Sequence, residues 1–416
     1  MSLSYRNEIP YIEEKNLSDL TQSIQTPFYV YSQKIITEFF LKLKKNLQKD
    51  IYYSVKANSN QAIISLLNSL GAGADVVSIE ELKRVIKAGV SKNKIIYEGV
   101  GKSENDLSYA IKNEIKQINI ESIEELHLID KIANSLNQKP NVGIRINPNI
   151  DAQTLDKIST GRKTDKFGID FNQLEEIIEI LKSMKNINFS GLSCHAGSQM
   201  SDLKIYEKIF IKIIQAIKIF ESHNLKIENL NLGGGLSVVY EKNQNEFEVN
   251  KLAKLLEKFF PKSNYKISFE PGRYLVANAG FLITKILTIK KNGDVNFLIT
   301  DAGMQTFLRP SMYNVYHKIL SFNQSEKKLN YTIAGPICES SDIISKNVQL
   351  PIQKKDNFLI ICDTGAYGSV MASNYNSKCL PAEILINEKD HALIRNSQNI
   401  DHIIERDQLP HWLKIN

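Results

Sequence analysis

Only four cysteines occur in the 416 residues, Cys194, Cys338, Cys362 and Cys379, and no two of them form a C-x-x-C pair. That scarcity and spacing exclude a disulfide framework and a cysteine-built zinc site, although one thiol could still be reactive. Long apolar runs are missing too: no stretch approaches the roughly 18 residues that a membrane helix needs. The start, Met1 to Pro10, is polar and charged where a signal peptide requires an apolar segment. A cytoplasmic protein without a membrane partner is expected. Glycine and proline are few, and neither a low-complexity linker nor a solenoid-type repeat is found. No single sign of charge dominates, with 52 Lys and Arg against 46 Asp and Glu. The lysines alternate with glutamates as on solvated helix faces. Only Lys42, Lys44 and Lys45 cluster, on a segment of helical pattern from Ile35 to Leu47, so no nucleic-acid partner is expected.

What is present is alternation. Eight short apolar runs are separated by helical or polar stretches: Ile51 to Ser54, Ala74 to Val77, Ile95 to Glu98, Gln117 to Ile120, Val142 to Ile146, Phe189 to Cys194, Asn229 to Leu232 and Lys266 to Phe269. Between them lie patterns of helical period, such as Leu174 to Leu181 and Tyr206 to Phe220. Strands alternating with helices imply parallel pairing with helical crossovers. The count and length fit an α/β fold, a (β/α)8 TIM-like barrel; a doubly wound open sheet is the rival. Past about residue 275 the helical period fades. Phe281 to Ile289, Val295 to Ile299, Tyr331 to Ala334 and Phe358 to Cys362 read as strands of a C-terminal β-rich domain. The expected division is an N-terminal segment, 1–25, packing on the β domain, a barrel over 26–275, and the β-rich domain over 276–416.

Barrels carry their chemistry at the C-terminal ends of the strands. There the first run is followed by Lys56, the sixth by His195 and Ser198, the seventh by Gly233, Gly234 and Gly235, and the eighth by Glu270, Pro271, Gly272 and Arg273. Singly, each has an ordinary reading as a loop lysine, a structural histidine or a turn. Together they supply a lysine able to form a Schiff base, glycines whose backbone can approach a phosphate, a flat imidazole, and a carboxylate able to keep a pyridine nitrogen protonated. Those are the parts of a pyridoxal 5'-phosphate site. The C-terminal region adds Arg309 and Tyr313, suited to a carboxylate, the thiol–carboxylate pair Cys338-Glu339, and Tyr367 between glycines.

These residues, in this order, resemble the fold-type III pyridoxal-phosphate-dependent decarboxylases, over about Thr26 to Ile386. The resemblance rests on Lys56-Ala57-Asn58, the His195 segment, Glu270 to Arg273, Cys338-Glu339 and Gly365 to Gly368. Within that family the branch acting on meso-diaminopimelate is nearest. The resemblance implies that Lys56 carries the cofactor, His195 stacks on its ring and Glu270 pairs with the ring nitrogen. It implies that Gly233 to Gly235, Glu270 to Arg273, Tyr367 and Ser198 hold the phosphate, with Asp75 in support. Arg273, Arg309, Tyr313, Glu339 and Tyr367 would bind substrate, and Cys338 would reprotonate the α-carbon, an unperturbed thiol being mostly protonated near neutrality. The expected reaction is decarboxylation of meso-2,6-diaminopimelate to L-lysine, in a homodimer with shared active sites. Relatives acting on ornithine usually place Asp after the reactive cysteine, so Glu339 favours diaminopimelate.

Departures from the family pattern are Ile79-Glu80, where a glycine pair is common, Val100 in place of Asn, Gln305-Thr306, and Leu380. The first leaves the loop beside the cofactor undetermined. Rival readings are a decarboxylase of ornithine, arginine or a carboxylated polyamine, and a non-catalytic binding protein on the same barrel. The latter would often lack Lys56 or Cys338, and both are present.

Overall fold

The computed structural model describes residues 3–152, 160–241, 243–261 and 264–413. Two compact units divide the chain: Ile36–Val239 with Gln244–Val276, and Met1–Ile35 with Tyr240–Asn243 and Ala277–Asn416.

The first unit is a closed barrel of eight parallel strands in chain order. They run Asp50–Ser54, Gly73–Val76, Ile95–Tyr97, Gln117–Ile120, Asn141–Arg145, Asn188–Ser193, Asn229–Asn231 and Lys266–Phe269. The eighth closes on the first through Ser268 opposite Asp50 and Phe269 opposite Ile51. Each of the eight apolar runs is one of these strands, and the open-sheet alternative is excluded. The strands are buried almost throughout, as a sheet covered on its outer face by helices requires. Those helices form where pattern and caps agree. Leu203–Ser222 buries Ile205, Ile209, Ile213, Ala216 and Phe220 as one stripe. Ser78, Ser103 and Ser122 each accept a backbone N–H three residues on, satisfying donors that the first helical turn leaves orphaned. Among the described residues, no helix is long and apolar enough to cross a membrane.

In the second unit a mixed nine-stranded sheet is built on Gly280–Asn292. Its neighbours include Val295–Thr300, Phe358–Cys362 and Phe28–Ser32. That last strand is fully buried between Gly280–Asn292 and Ala382–Asn387. The boundary therefore falls at Ile35, ten residues later than the sequence reading placed it. An apolar strand followed by the helix Gln33–Leu47 looks like one more barrel unit, and local pattern does not say which sheet a strand joins. The N-terminal segment also belongs here. Ile12, Leu17 and Leu20 pack with Phe28, Val30, Phe281 and Ile384, and Tyr5 donates to the Ser321 carbonyl at 2.7 Å.

Candidate active site

In the barrel unit the C-terminal ends of the strands bring together Lys56, Asp75, His195, Ser198, Gly233 to Gly235 and Glu270 to Arg273. The first strand ends at Ser54 and passes into a 3-10 turn, Val55–Ala57, whose two outer residues are buried and whose middle residue is Lys56. The Lys56 Nζ lies 3.5 Å from Asp75 Oδ2. Asp75, on the second strand, is fully buried; Ser54 Oγ donates to its Oδ2 at 2.7 Å, while its Oδ1 has no hydrogen-bond partner among the described residues.

His195 follows the sixth strand. Its Nδ1 accepts the Gly234 N–H at 3.3 Å, which leaves Nε2 to carry the proton of the neutral ring. Burial first, then the cations Lys56 and Arg145, hold its pKa well below the usual histidine range. A neutral, flat ring results.

The glycine loop could be built from no other residue. Gly233 and Gly235 have φ of +67° and +84°. A Cβ on Gly234 would collide with the Glu270 carbonyl, and one on Gly233 with the Cys194 carbonyl and the His195 ring. Asn231 Oδ1 pins the loop by accepting the Gly233 N–H at 2.9 Å, and Glu270 N–H donates to the Gly233 carbonyl at 2.7 Å. Past the eighth strand, Glu270 is buried and accepts from the Asn231 side-chain amide. Burial, then the negative Asp75 and Glu98, push its pKa well above the carboxylate range. Such a carboxyl lacks a cationic partner strong enough to ionise it, and a protonated ring nitrogen is one. Arg273, also buried, opens the short helix Arg273–Val276 and donates through Nε to Ser198 Oγ at 3.2 Å. A lysine beside a buried carboxylate, a glycine-only loop and a second buried carboxyl fit pyridoxal phosphate group by group.

The comparisons with known proteins agree. Residues 33–277 match the family model described as pyridoxal-dependent decarboxylase, pyridoxal binding domain. The diaminopimelate decarboxylase of Aquifex aeolicus is 38% identical over 405 residues, 97% of this chain and 96% of that protein. This chain belongs to the diaminopimelate decarboxylase family. Among solved structures, the diaminopimelate decarboxylase of M. jannaschii superposes with a TM-score of 0.95 at 33% identity, covering 99% of both chains. That of Helicobacter pylori, complexed with L-lysine, gives 0.90 at 37% identity, over 94% of this chain and 98% of that one.

The remaining family-type residues lie in the β unit. Arg309 is buried and opens the helix Arg309–Tyr313. Its Nε donates to His317 Nε2 at 3.3 Å, and its guanidinium stands over the rings of Tyr240 and Tyr313 at 5.3 and 5.9 Å. His317 Nδ1 in turn faces the Cys362 carbonyl at 3.0 Å, so both ring nitrogens serve to aim the arginine. Cys338 and Glu339 are exposed on a tight turn. Asp342 holds that turn by accepting the N–H groups of Met304 and Ile337 at 2.6 and 2.7 Å, its carboxylate filling space that side chains on Gly303 and Gly335 would take. Glu339 accepts from Ser341 Oγ at 2.9 Å and from the Tyr375 hydroxyl, and these two bonds lower its pKa. Tyr367 has a φ of +55°, a left-handed conformation costly for a bulky residue and kept only where surroundings impose it.

The departures from the family pattern are accommodated. Ile79 and Glu80 occupy the first turn of the helix Ile79–Lys87, capped by Ser78, where neither has a positive φ. The loop carrying Val100 is tied by Lys102, whose Nζ donates to the Gly99 and Asn119 carbonyls and pairs with Glu125 at 2.6 Å. Gln305 and Thr306 are buried, and the Thr306 carbonyl accepts from Tyr29 at 2.7 Å. Leu380 donates its N–H to Gln398 Oε1.

One consequence is measurable as a pH effect. Glu81, on that same helix, is pushed up to about 7 by burial and then Asp75, against the pull of the Val77 N–H and of Lys56 and Arg84. An acid with a raised folded pKa holds a proton that the unfolded chain has already released, so stability falls as pH rises from about 4.5 to about 7. Glu81→Gln is expected to remove this component, worth up to ~3 kcal/mol. Denaturation of the cofactor-free protein at pH 5 and pH 8 should show a smaller loss in the variant; equal losses would refute this role for Glu81.

Proposed function

We propose that this protein decarboxylates meso-2,6-diaminopimelate to L-lysine and carbon dioxide, using pyridoxal 5'-phosphate held at the mouth of the barrel. The observation that carries the reading is the Lys56–Asp75–Glu270 arrangement around a glycine-only loop, in a chain whose family acts on this substrate. The bound cofactor supplies an electron sink for the negative charge left on the α-carbon when carbon dioxide departs. The rest falls to the chain. Lys56 Nζ would be the amine that holds the cofactor. Glu270 would be the carboxyl that keeps a proton at the ring nitrogen. His195, neutral, would offer its flat ring to the cofactor without adding charge. The N–H groups of Gly233 to Gly235, together with Ser198, Tyr367 and the Glu270–Arg273 segment, would hold the phosphate. Asp75 Oδ2 orients Lys56.

Substrate recognition falls to Arg273, Arg309 and Tyr313, which suit the distal carboxylate, with Glu339 for the distal ammonium and Tyr367 in support. A charged hydrogen bond to a buried group is worth about 1.5–3 kcal/mol, so a substrate without the distal carboxylate leaves unpaired cations and is disfavoured. Cys338 Sγ delivers the proton to the α-carbon. Its exposure, on a turn that Asp342 holds rigid, suits a thiol presented to a second copy of the chain, and we infer a homodimer with shared sites. A cytoplasmic location goes with this biosynthetic role. Purified protein with pyridoxal phosphate and meso-diaminopimelate is expected to yield L-lysine and carbon dioxide in equal amounts. Cofactor binding without carbon dioxide release would contradict the assignment.

A further inference from the structure

Glu98 lies just beyond the third strand, fully enclosed by the barrel, and none of the roles above uses it. Its Oε1 accepts from the Asn119 amide and, at 3.5 Å, from Asn231 Nδ2. That same Asn231 nitrogen donates to Glu270 Oε1. The orientation of the amide is fixed independently, because Asn231 Oδ1 must face the Gly233 N–H that it accepts at 2.9 Å. Asn119 is fixed likewise: its Oδ1 accepts from Gln117 Nε2 at 2.6 Å, and Gln117 Oε1 accepts from Ser190 Oγ at 2.8 Å. Two buried glutamates thus share one amide nitrogen whose direction they do not choose. Glu98 Oε2 is buried and without a hydrogen-bond partner among the described residues, so a proton can reside there without breaking either amide bond.

We propose that Glu98 is a positioning residue which, through the Asn231 amide, retains the proton that Glu270 shares with the cofactor's ring nitrogen. The proposal rests on the decarboxylase reading above. The groups facing Glu98 are Asp75 from the second strand, Glu121 past the fourth, Arg145 on the fifth, Cys194 past the sixth and Glu270 past the eighth. Arg145 is itself paired with Glu121 at 2.7 Å. Burial and the acidic neighbours outweigh Arg145, and Glu98 is pushed up to about 7. Below that pH Glu98 is neutral and serves as a hydrogen-bond acceptor. As pH rises through that value Glu98 gives up its proton, one amide away from the pair formed by Glu270 and the ring nitrogen. Its new negative charge then raises the proton affinity of that pair. Electron withdrawal by the ring persists to higher pH as a result.

Glu98→Gln keeps the shape and removes the charge. Titration of the visible absorbance of cofactor-loaded protein, with kcat and KM followed separately, tests the idea. The alkaline midpoint is expected to fall by about one pH unit in the variant, as loss of a like charge several ångströms away implies. Substrate KM should stay put, and cofactor affinity should drop more at pH 8 than at pH 6. Glu98→Ser, small enough to admit a water in the carboxyl's place, should move the midpoint the same way and serves if the glutamine protein does not fold. Midpoints that coincide with the unaltered protein's would overturn the proposal. Failure of the unaltered protein to bind cofactor at any pH would instead defeat the decarboxylase reading, and with it the basis of the proposal.

Discussion

Lys56→Ala is expected to lose decarboxylation by about 10³-fold or more, together with the visible absorbance of bound pyridoxal phosphate. Lys56 is the middle residue of a turn whose flanking side chains, Val55 and Ala57, are buried and hold the backbone without it. Its own side chain is 36% exposed, so truncation should leave the barrel folded. The remaining ambiguity is between a lysine that bonds covalently to the cofactor and one that only neutralises Asp75. Lys56→Arg separates the two, since it keeps a cation near Asp75 but offers no amine for a Schiff base. Both variants are expected to be inactive and colourless. Arginine protein within tenfold of full activity would rule out the covalent role.

Cys338→Ala is expected to lower kcat by about 10²–10⁴-fold, the usual worth of a positioned proton donor, while cofactor binding persists. The exposed thiol gives this loss a second, sharper consequence. If Cys338 serves the partner's Lys56, mixed dimers of Lys56→Ala and Cys338→Ala chains contain one site with both groups intact. Random exchange of equal amounts then restores roughly a quarter of full activity from two inactive proteins. Mass analysis of differently labelled chains shows whether exchange has occurred. Exchanged dimers that stay inactive would place both groups in one chain's own site.

The barrel was legible because its strands are covered on both faces and read as unbroken apolar runs, while the helices between them keep a helical period. The strand ends then pointed directly to Lys56, His195, Gly233 to Gly235 and Glu270. Phe28–Ser32 was misgrouped because its own residues carry no mark of the partner strands that bury it. The polar interior was illegible for a different reason. Gln117, Asn119 and Asn231 sit inside short strands and Glu98 directly follows one, where they read as interruptions of an apolar run. Gln117 and Asn119 already share one face of one strand, but only closure of the barrel brings Asn231 within reach of Glu98. Asp342 and His317 lie close in sequence to the thiol turn and to Arg309 that they support, but they belong to no recognisable motif, and Tyr375 reaches Glu339 from 36 residues away. Such residues become visible when one asks which atom satisfies each buried polar group.

The most direct measurement is kcat/KM for carbon dioxide release from meso-diaminopimelate, ornithine, arginine and lysine by the pyridoxal-phosphate-loaded protein. Preference for meso-diaminopimelate by at least about 10²-fold is expected, the effect of one buried charged contact made or lost. Equal or better turnover of ornithine or arginine would contradict the assignment of Arg273, Arg309 and Tyr313 to a distal carboxylate.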